Sequence, residues 1–362
     1  MPPHEPPSAE FEVVRLAARA HLTPERAARL RDAVTPSLDW AEVLRLGAFH
    51  KTLPLLYVHL RGHPGVPDDV AAWLKRWVWN LSTHVLFLSS EMARIAGRFA
   101  DEGIPYLVLK GPSLSPAYGG VSKRPFVDND LLVRREDFDR VERVLIGLGF
   151  NERKRSDLQQ AGYLSVHGEY TFGRSVGALG STVDVHTRLV PMGYSYAPDL
   201  GRLAARARTI ELAGASVPAL SWDDLLLALS VNALKDQWDR LRLASDIAEV
   251  AAHVGDWDGV VETATRHGVR RAFHLAVLLA VDLVGGTFPE PVLRRARRDR
   301  RAVRLSHSVR RALIEGEGRS LPALSDRAKF NMLVQDGLRG QLRYTAYTVL
   351  RRATGRLVAT QS

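Results

Sequence analysis

The chain has 362 residues, 46% of them hydrophobic and 25% charged, with no cysteine and a net charge of +10. This is a globular composition with room for two or three domains, and the lack of thiols excludes disulfides, cysteine nucleophiles and cysteine-ligated zinc, as suits a reducing cytoplasm. Seven lysines stand against 43 arginines, a bias that GC-rich genomes produce, so the positive field argues for anionic ligands such as nucleotides more than for nucleic acid itself.

In chain order, residues 1–8 read as a short disordered lead, and the acidic opening MPPHEPPSAEFEVV lacks the apolar core of a signal peptide. Residues 9–102 form a predicted helical region. Thr23, Pro24 and Glu25 make a helix start, and tryptophans and leucines recur at helical spacing from Asp68 to Gly103, as one long helix or two in tandem. A predicted core follows over residues 103–215. IPYLVLKG is a short strand ending at Gly111, PSLSPAYGG opens a helix, and FVDNDLLV is a strand. REDFDRVERVLIGLGF is an amphipathic helix leading to a strand at Asn151, and after a polar excursion GEYTFGR and STVDVHTRLV alternate as strands. Residues 216–362 are read as a helical domain, entered through Ser221 as N-cap with Asp223 and Asp224 in the first turn. The fold class is α+β: a small mixed sheet flanked by N-terminal and C-terminal helical regions. The most apolar run, LAVLLAVDLVGG from Leu275, is broken by Asp282 and falls short of the about 18 residues of a membrane span, so a soluble protein is expected.

Three pieces of the core carry chemistry when read together. In LVLKGPSL, Gly111 lets backbone amides approach a phosphate and Ser113 supplies a hydroxyl at a helix start. In RPFVDNDLLV, Asp128 and Asp130 share one face of a strand, ~7 Å apart. Two carboxylates beside a core require a cation. Mg²⁺, with Mn²⁺ as the alternative, suits an all-oxygen site that leaves room for phosphate oxygens. In TVDVHTRL, Asp184 sits between Val183 and Val185. If that strand lies beside the first, Asp184 completes a three-carboxylate cluster able to hold divalent ions and to act as general base.

A glycine–serine turn, a D-x-D strand and a later aspartate strand resemble the polymerase-β-type nucleotidyltransferase superfamily. More narrowly, VLKGPSLSPAYGGVSKRPFVDNDLLVRREDFDRVERVLIGLGF, VDVHTRL and DRLRLASDIAEV resemble a bacterial branch often found in natural-product gene clusters, including those for lasso peptides, and in polysaccharide clusters. The resemblance implies transfer of a nucleoside monophosphate from an NTP to a small-molecule or peptide acceptor, with Asp128, Asp130 and Asp184 as catalytic metal ligands. It also implies that Lys110, Arg124 and Lys235 approach the nucleotide phosphates, while Arg240 and Asp246 order their helix or touch substrate. His186, on the face of Asp184, is a partner of that aspartate, a substrate contact or a core histidine. Asn129 departs from the family pattern, which has an apolar residue between the two aspartates, and needs buried hydrogen-bond partners.

The competing readings are a toxin-like enzyme acting on tRNA and a degenerate, non-catalytic nucleotide-binding scaffold. The basic stretch from Arg294 to Arg311 raises nucleic-acid binding but lacks interleaved aromatics. The terminal segment with Tyr344 and Tyr347 reads as a packed helix, with membrane-surface docking as the alternative. No P-loop, H-E-x-x-H or G-x-S-x-G element occurs.

Overall fold

The computed structural model describes residues 7–152, 168–190, 192–315 and 324–359. Most of the expected lead and of the polar excursion after Asn151 lies outside these residues. Ser8 is among the described residues: its hydroxyl accepts from Phe11 N at 3.1 Å and caps the first helix.

Among the described residues five helices precede the sheet: α1 (Ala9–Ala17), α2 (Pro24–Ala33), α3 (Trp40–Phe49), α4 (Leu53–Leu60) and α5 (Asp68–Asp101). Thr23 caps α2 through Arg26 N, as its sequence predicts. The long tryptophan-rich segment is a single helix of 34 residues. Its C-terminal half buries Leu88, Met92, Ile95 and Phe99, which share one helix face because three- and four-residue steps return to the same side. Each such side chain withdrawn from water contributes roughly 1.5–3 kcal/mol.

Among the described residues the sheet has seven strands, in the order β3-β4-β5-β2-β1-β7-β6. They are β1 (Tyr106–Val108), β2 (Asn129–Val133), β3 (Asn151–Glu152), β4 (Glu169–Val176), β5 (Leu179–His186), β6 (Arg208–Leu212) and β7 (Ala215–Ala219). β2 pairs with β5 and β1 with β7 in parallel, and the remaining neighbours are antiparallel. The sheet is therefore mixed, and the fold is α+β. The β6–β7 hairpin is not anticipated by the sequence reading, although Ile210, Leu212, Val217 and Ala219 alternate into one core cluster. Its turn places Ala213 and Gly214 at φ 49° and 81°, a two-residue turn whose twist suits a hairpin. The hairpin carries the sheet across the junction expected near residue 215.

One sheet face is closed by α5 and α6 (Phe138–Gly147), which pack on Val108, Leu131, Val133, Tyr170, Phe172, Val183 and Val185. The other face is apolar only in part. Leu107, Leu109 and Leu132 join the large helical core, whereas Asp130, Asp184 and His186 occupy the same side of β2 and β5 by alternation. Between β1 and β2 the chain forms a 3₁₀ helix, Gly111–Tyr118, rather than an α-helix.

The short α7 (Leu200–Ala204) lies between β5 and β6, and C-terminal to the sheet run α8 (Trp222–Asn232), α9 (Leu241–Ala251), α10 (Trp257–Arg266), α11 (Arg270–Val284), α12 (Glu290–Arg298), α13 (Arg300–Glu315), α14 (Leu324–Val334) and α15 (Gly337–Ala359). Ser221 caps α8 through Asp224 N. The basic stretch spans α12 and α13, with Val292, Ala296, Ala302 and Leu305 buried and its arginines turned outward. Tyr344 and Tyr347 of α15 are buried, Tyr344 lying against Tyr194 with ring centroids 5.8 Å apart. Among the described residues no helix is long and apolar enough to cross a membrane.

Candidate active site

Asp130 and Asp184 are direct partners in the parallel β2–β5 register, so their side chains project from the same face as neighbours. Asp128 lies just before β2, outside the strand that the sequence reading begins at Phe126, and is half-buried. Gly111 adopts φ +57°, and a Cβ there would stand 3.0 Å from the carbonyl oxygen of Asp128. Only glycine permits both that conformation and that approach. The turn after β1 is thereby pressed against the start of the D-x-D segment.

The cation beside these carboxylates is Lys110. Its Nζ lies 3.0 Å from Oδ1 of Asp130, and His186 Nε2 lies 2.9 Å from the same oxygen. His186 is thus a partner of Asp130 rather than of Asp184. Burial opposes ionisation of Asp130, yet Lys110 and His186 outweigh it and hold the carboxyl well below the usual range. Burial likewise opposes the charge on Lys110, and Asp130 overcomes it. Asp128 behaves oppositely: burial and the like charge of Asp130 push it up to about 6, despite Lys110. Asp184 is also raised, chiefly by burial, although Thr171 donates a hydrogen bond of 2.6 Å to its Oδ1.

These shifts bear on whether the residues suit a divalent ion. One carboxylate is neutralised, and its two neighbours face a deficit of positive charge that a hard dication meets with oxygen ligands. The donor chemistry fits Mg²⁺. The arrangement differs from a finished cage, however: among the described residues no three acidic or histidine side chains close on one point.

β4 adds two residues that the sequence reading passes over. Glu169 pairs in register with His186 and Thr171 with Asp184. Glu169 Oε2 is 3.9 Å from His186 Nδ1 and 3.5 Å from Lys235 Nζ. Lys235 lies in the turn after α8 rather than within a helix, and it does span from the C-terminal helices to the sheet. The signal for Glu169 and Thr171 is the alternation in GEYTF, where Tyr170 and Phe172 take the core and leave their neighbours on the acidic face.

Two expected phosphate ligands are engaged elsewhere. Ser113 is fully buried and its hydroxyl donates to Leu109 O at 2.8 Å, so it stabilises the turn instead of presenting a donor. Arg124 is buried and donates to both oxygens of Asp246, at 2.7 and 2.8 Å, with a third bond to Pro125 O. Tyr118 Oη donates to Asp246 Oδ1 at 2.7 Å. Arg124 therefore ties the segment before β2 to α9, and Asp246 orders that junction. Arg240 pairs with the adjacent Asp239. Asn129 donates from Nδ2 to Leu88 O at 3.2 Å, while its Oδ1 has no partner. The departure from an apolar residue here is met only by half.

The carboxylate row, the glycine turn and the mixed sheet are thus assembled within one site. No curated protein and no solved structure matches the chain. A family model described as uncharacterised nucleotidyltransferase matches residues 36–285, a span containing the sheet and helices on both sides of it. The chain belongs to that nucleotidyltransferase family.

Proposed function

We propose that the protein binds an NTP with Mg²⁺ and transfers its nucleoside monophosphate to a hydroxyl or similar nucleophile of a small-molecule or peptide acceptor, releasing pyrophosphate. The single observation carrying this reading is the register pairing of Asp130 with Asp184, with Asp128 beside them. Mg²⁺, held by Asp128, Asp130 and Asp184, would neutralise phosphate charge and polarise the α-phosphate. The acceptor oxygen attacks the α-phosphorus as the bond to pyrophosphate breaks. Asp184, whose raised proton affinity suits a general base, takes the acceptor proton. Lys110 and Lys235 contribute positive charge on either side of the carboxylate row, and the Gly111 turn brings backbone close to it. Burial of the row strengthens these charge interactions relative to water.

The test is to incubate the protein with each NTP, Mg²⁺ and candidate acceptors and to read acceptor mass. An added nucleotide mass, absent with Asp130→Asn and Asp184→Asn, is the expected result. Full transfer by either variant would overturn the assignment. Mg²⁺-dependent nucleotide binding without transfer would favour the scaffold reading, which draws on the Lys110–Asp130 ion pair and the half-satisfied Asn129.

A further inference from the structure

Beside the carboxylate row lies a cavity of about 360 Å³ between the α3–α4 turn, α5 and the start of α9, within the size range of small-ligand sites. Its wall includes five cationic side chains and no carboxylate. Three of the five are engaged: Arg124 with Asp246, Arg240 with Asp239, and Lys123 with Ala20 O at 3.5 Å. Lys51 and Arg242 form no ion pair among the described residues. Arg242 Nε is buried and lacks a hydrogen-bond partner. For both, burial is the first cause of a lowered proton affinity, and neighbouring arginines add to it. Asp239 and Asp246 offset this only in part; Lys51 is exposed, whereas Arg242 is a cation with a buried Nε and no ion-pair partner among the described residues, a costly arrangement unless an anion completes it.

The helix terminus is not what would hold that anion. The first amides of α9 are spent on His50, Leu241 N on Nδ1 and Arg242 N on the carbonyl, each at 3.3 Å. The side chains of Lys51 and Arg242 are what remain. Most of the rest of the wall is apolar, with Trp77 and Leu81 from α5 and Val127, which is 64% exposed, beside the hydroxyls of Thr52, Tyr118 and Ser245. An anion bearing an apolar or aromatic body satisfies both halves.

Position decides which substrate this is. Val127 directly precedes Asp128, and the charge of Arg242 acts on Asp128. Lys235 approaches the row from the β4 side, through Glu169. Cations thus stand at both ends of the row, Lys235 beyond β4 and the cavity beyond Asp128. We infer that the cavity seats the acceptor, and that the acceptor carries a phosphate or carboxylate on a partly apolar body. This deepens the transfer reading and rests on it. With the anion anchored by Lys51 and Arg242, the acceptor nucleophile extends past Val127 toward the carboxylates.

Calorimetric titration with phenyl phosphate and with benzoate tests the inference. The wild-type protein is expected to bind at least one probe. Arg242→Gln should weaken it about tenfold, as loss of a buried charge-assisted contact does, and Lys51→Asn, at an exposed position, by a smaller factor. Asparagine tolerates the positive φ of 59° at Lys51, and circular dichroism checks that both variants fold. Mg²⁺-tripolyphosphate, standing in for the nucleotide tail, should bind independently of the probe. Absence of probe binding, indifference to both substitutions, or exclusion of the probe by tripolyphosphate in the wild-type protein would each overturn the inference. Failure of the transfer reading has a different signature: Mg²⁺-dependent nucleotide binding that is missing or insensitive to Asp130→Asn.

Discussion

At the scale of single residues, the acidic face combines one satisfied carboxylate with two strained ones. Asp128 is held near pH 6 by burial and by Asp130, so at neutral pH its ionised form is disfavoured by folding and subtracts stability. Asp128→Asn should therefore raise the unfolding free energy in chelator at pH 7 by about 1–2 kcal/mol, allowing for solvent screening at a half-buried site, and with it the denaturation midpoint. Added Mg²⁺ should then stabilise the wild-type protein more than the variant. A lowered midpoint in chelator would contradict the strain. Ser113→Ala should destabilise by about 1 kcal/mol without altering Mg²⁺-nucleotide affinity in a titration. The aspartates were legible in sequence because carboxylates in an apolar strand call for a cation. Ser113 and Arg124 were not, because no spacing rule reveals that Leu109 O or Asp246 stands within reach.

At the scale of elements, two buried contacts hold the helical regions to the core. Arg124 and Asp246 join the segment before β2 to α9. Arg124→Met leaves Asp246 charged and buried, and should cost about 3–5 kcal/mol in a denaturant titration. Adding Asp246→Leu should recover much of that loss, whereas a phosphate-binding role for Arg124 predicts no such rescue. His50, at the end of α3, accepts from Leu241 N of α9. Burial, with Arg240 and Arg45, lowers its imidazole to about 4. Below its ordinary pH of 6.5 the unfolded chain takes up a proton that the folded site refuses. The contribution of His50 is therefore complete above pH 6.5 and lost as pH falls toward 4, by up to about 3 kcal/mol. The stability difference between wild type and His50→Gln should shrink across that window; a constant difference would refute the buried neutral imidazole. Helices such as α2, α5 and α8 were readable from caps and apolar spacing. The β6–β7 hairpin escaped because its strands are short and its turn, Ala213–Gly214, is a weak signal beside asparagine–glycine.

At the scale of the whole molecule, the family match from residue 36 to 285 takes in helices on both sides of the sheet as well as the sheet itself. Met92, Ile95 and Phe99 of α5 share one buried cluster with the sheet, and Arg124 is anchored to α9. A fragment of residues 103–219 should show neither a cooperative thermal transition nor dispersed amide signals; a folded fragment would contradict this packing. Sequence periodicity indicated the order of helical region, sheet and helical region. It was silent on the cavity between α3, α5, the segment before β2 and α9, whose walls come from four separate stretches of chain. The central claim is that the carboxylates of β2 and β5, with Asp128, form one Mg²⁺-nucleotide site. Its most direct measurement is calorimetric titration of each NTP, with Mg²⁺ and with chelator, into wild type and Asp184→Asn. The account predicts metal-dependent binding of at least one NTP, weakened about tenfold or more by the substitution. Equal affinity in chelator, or in the variant, would contradict it.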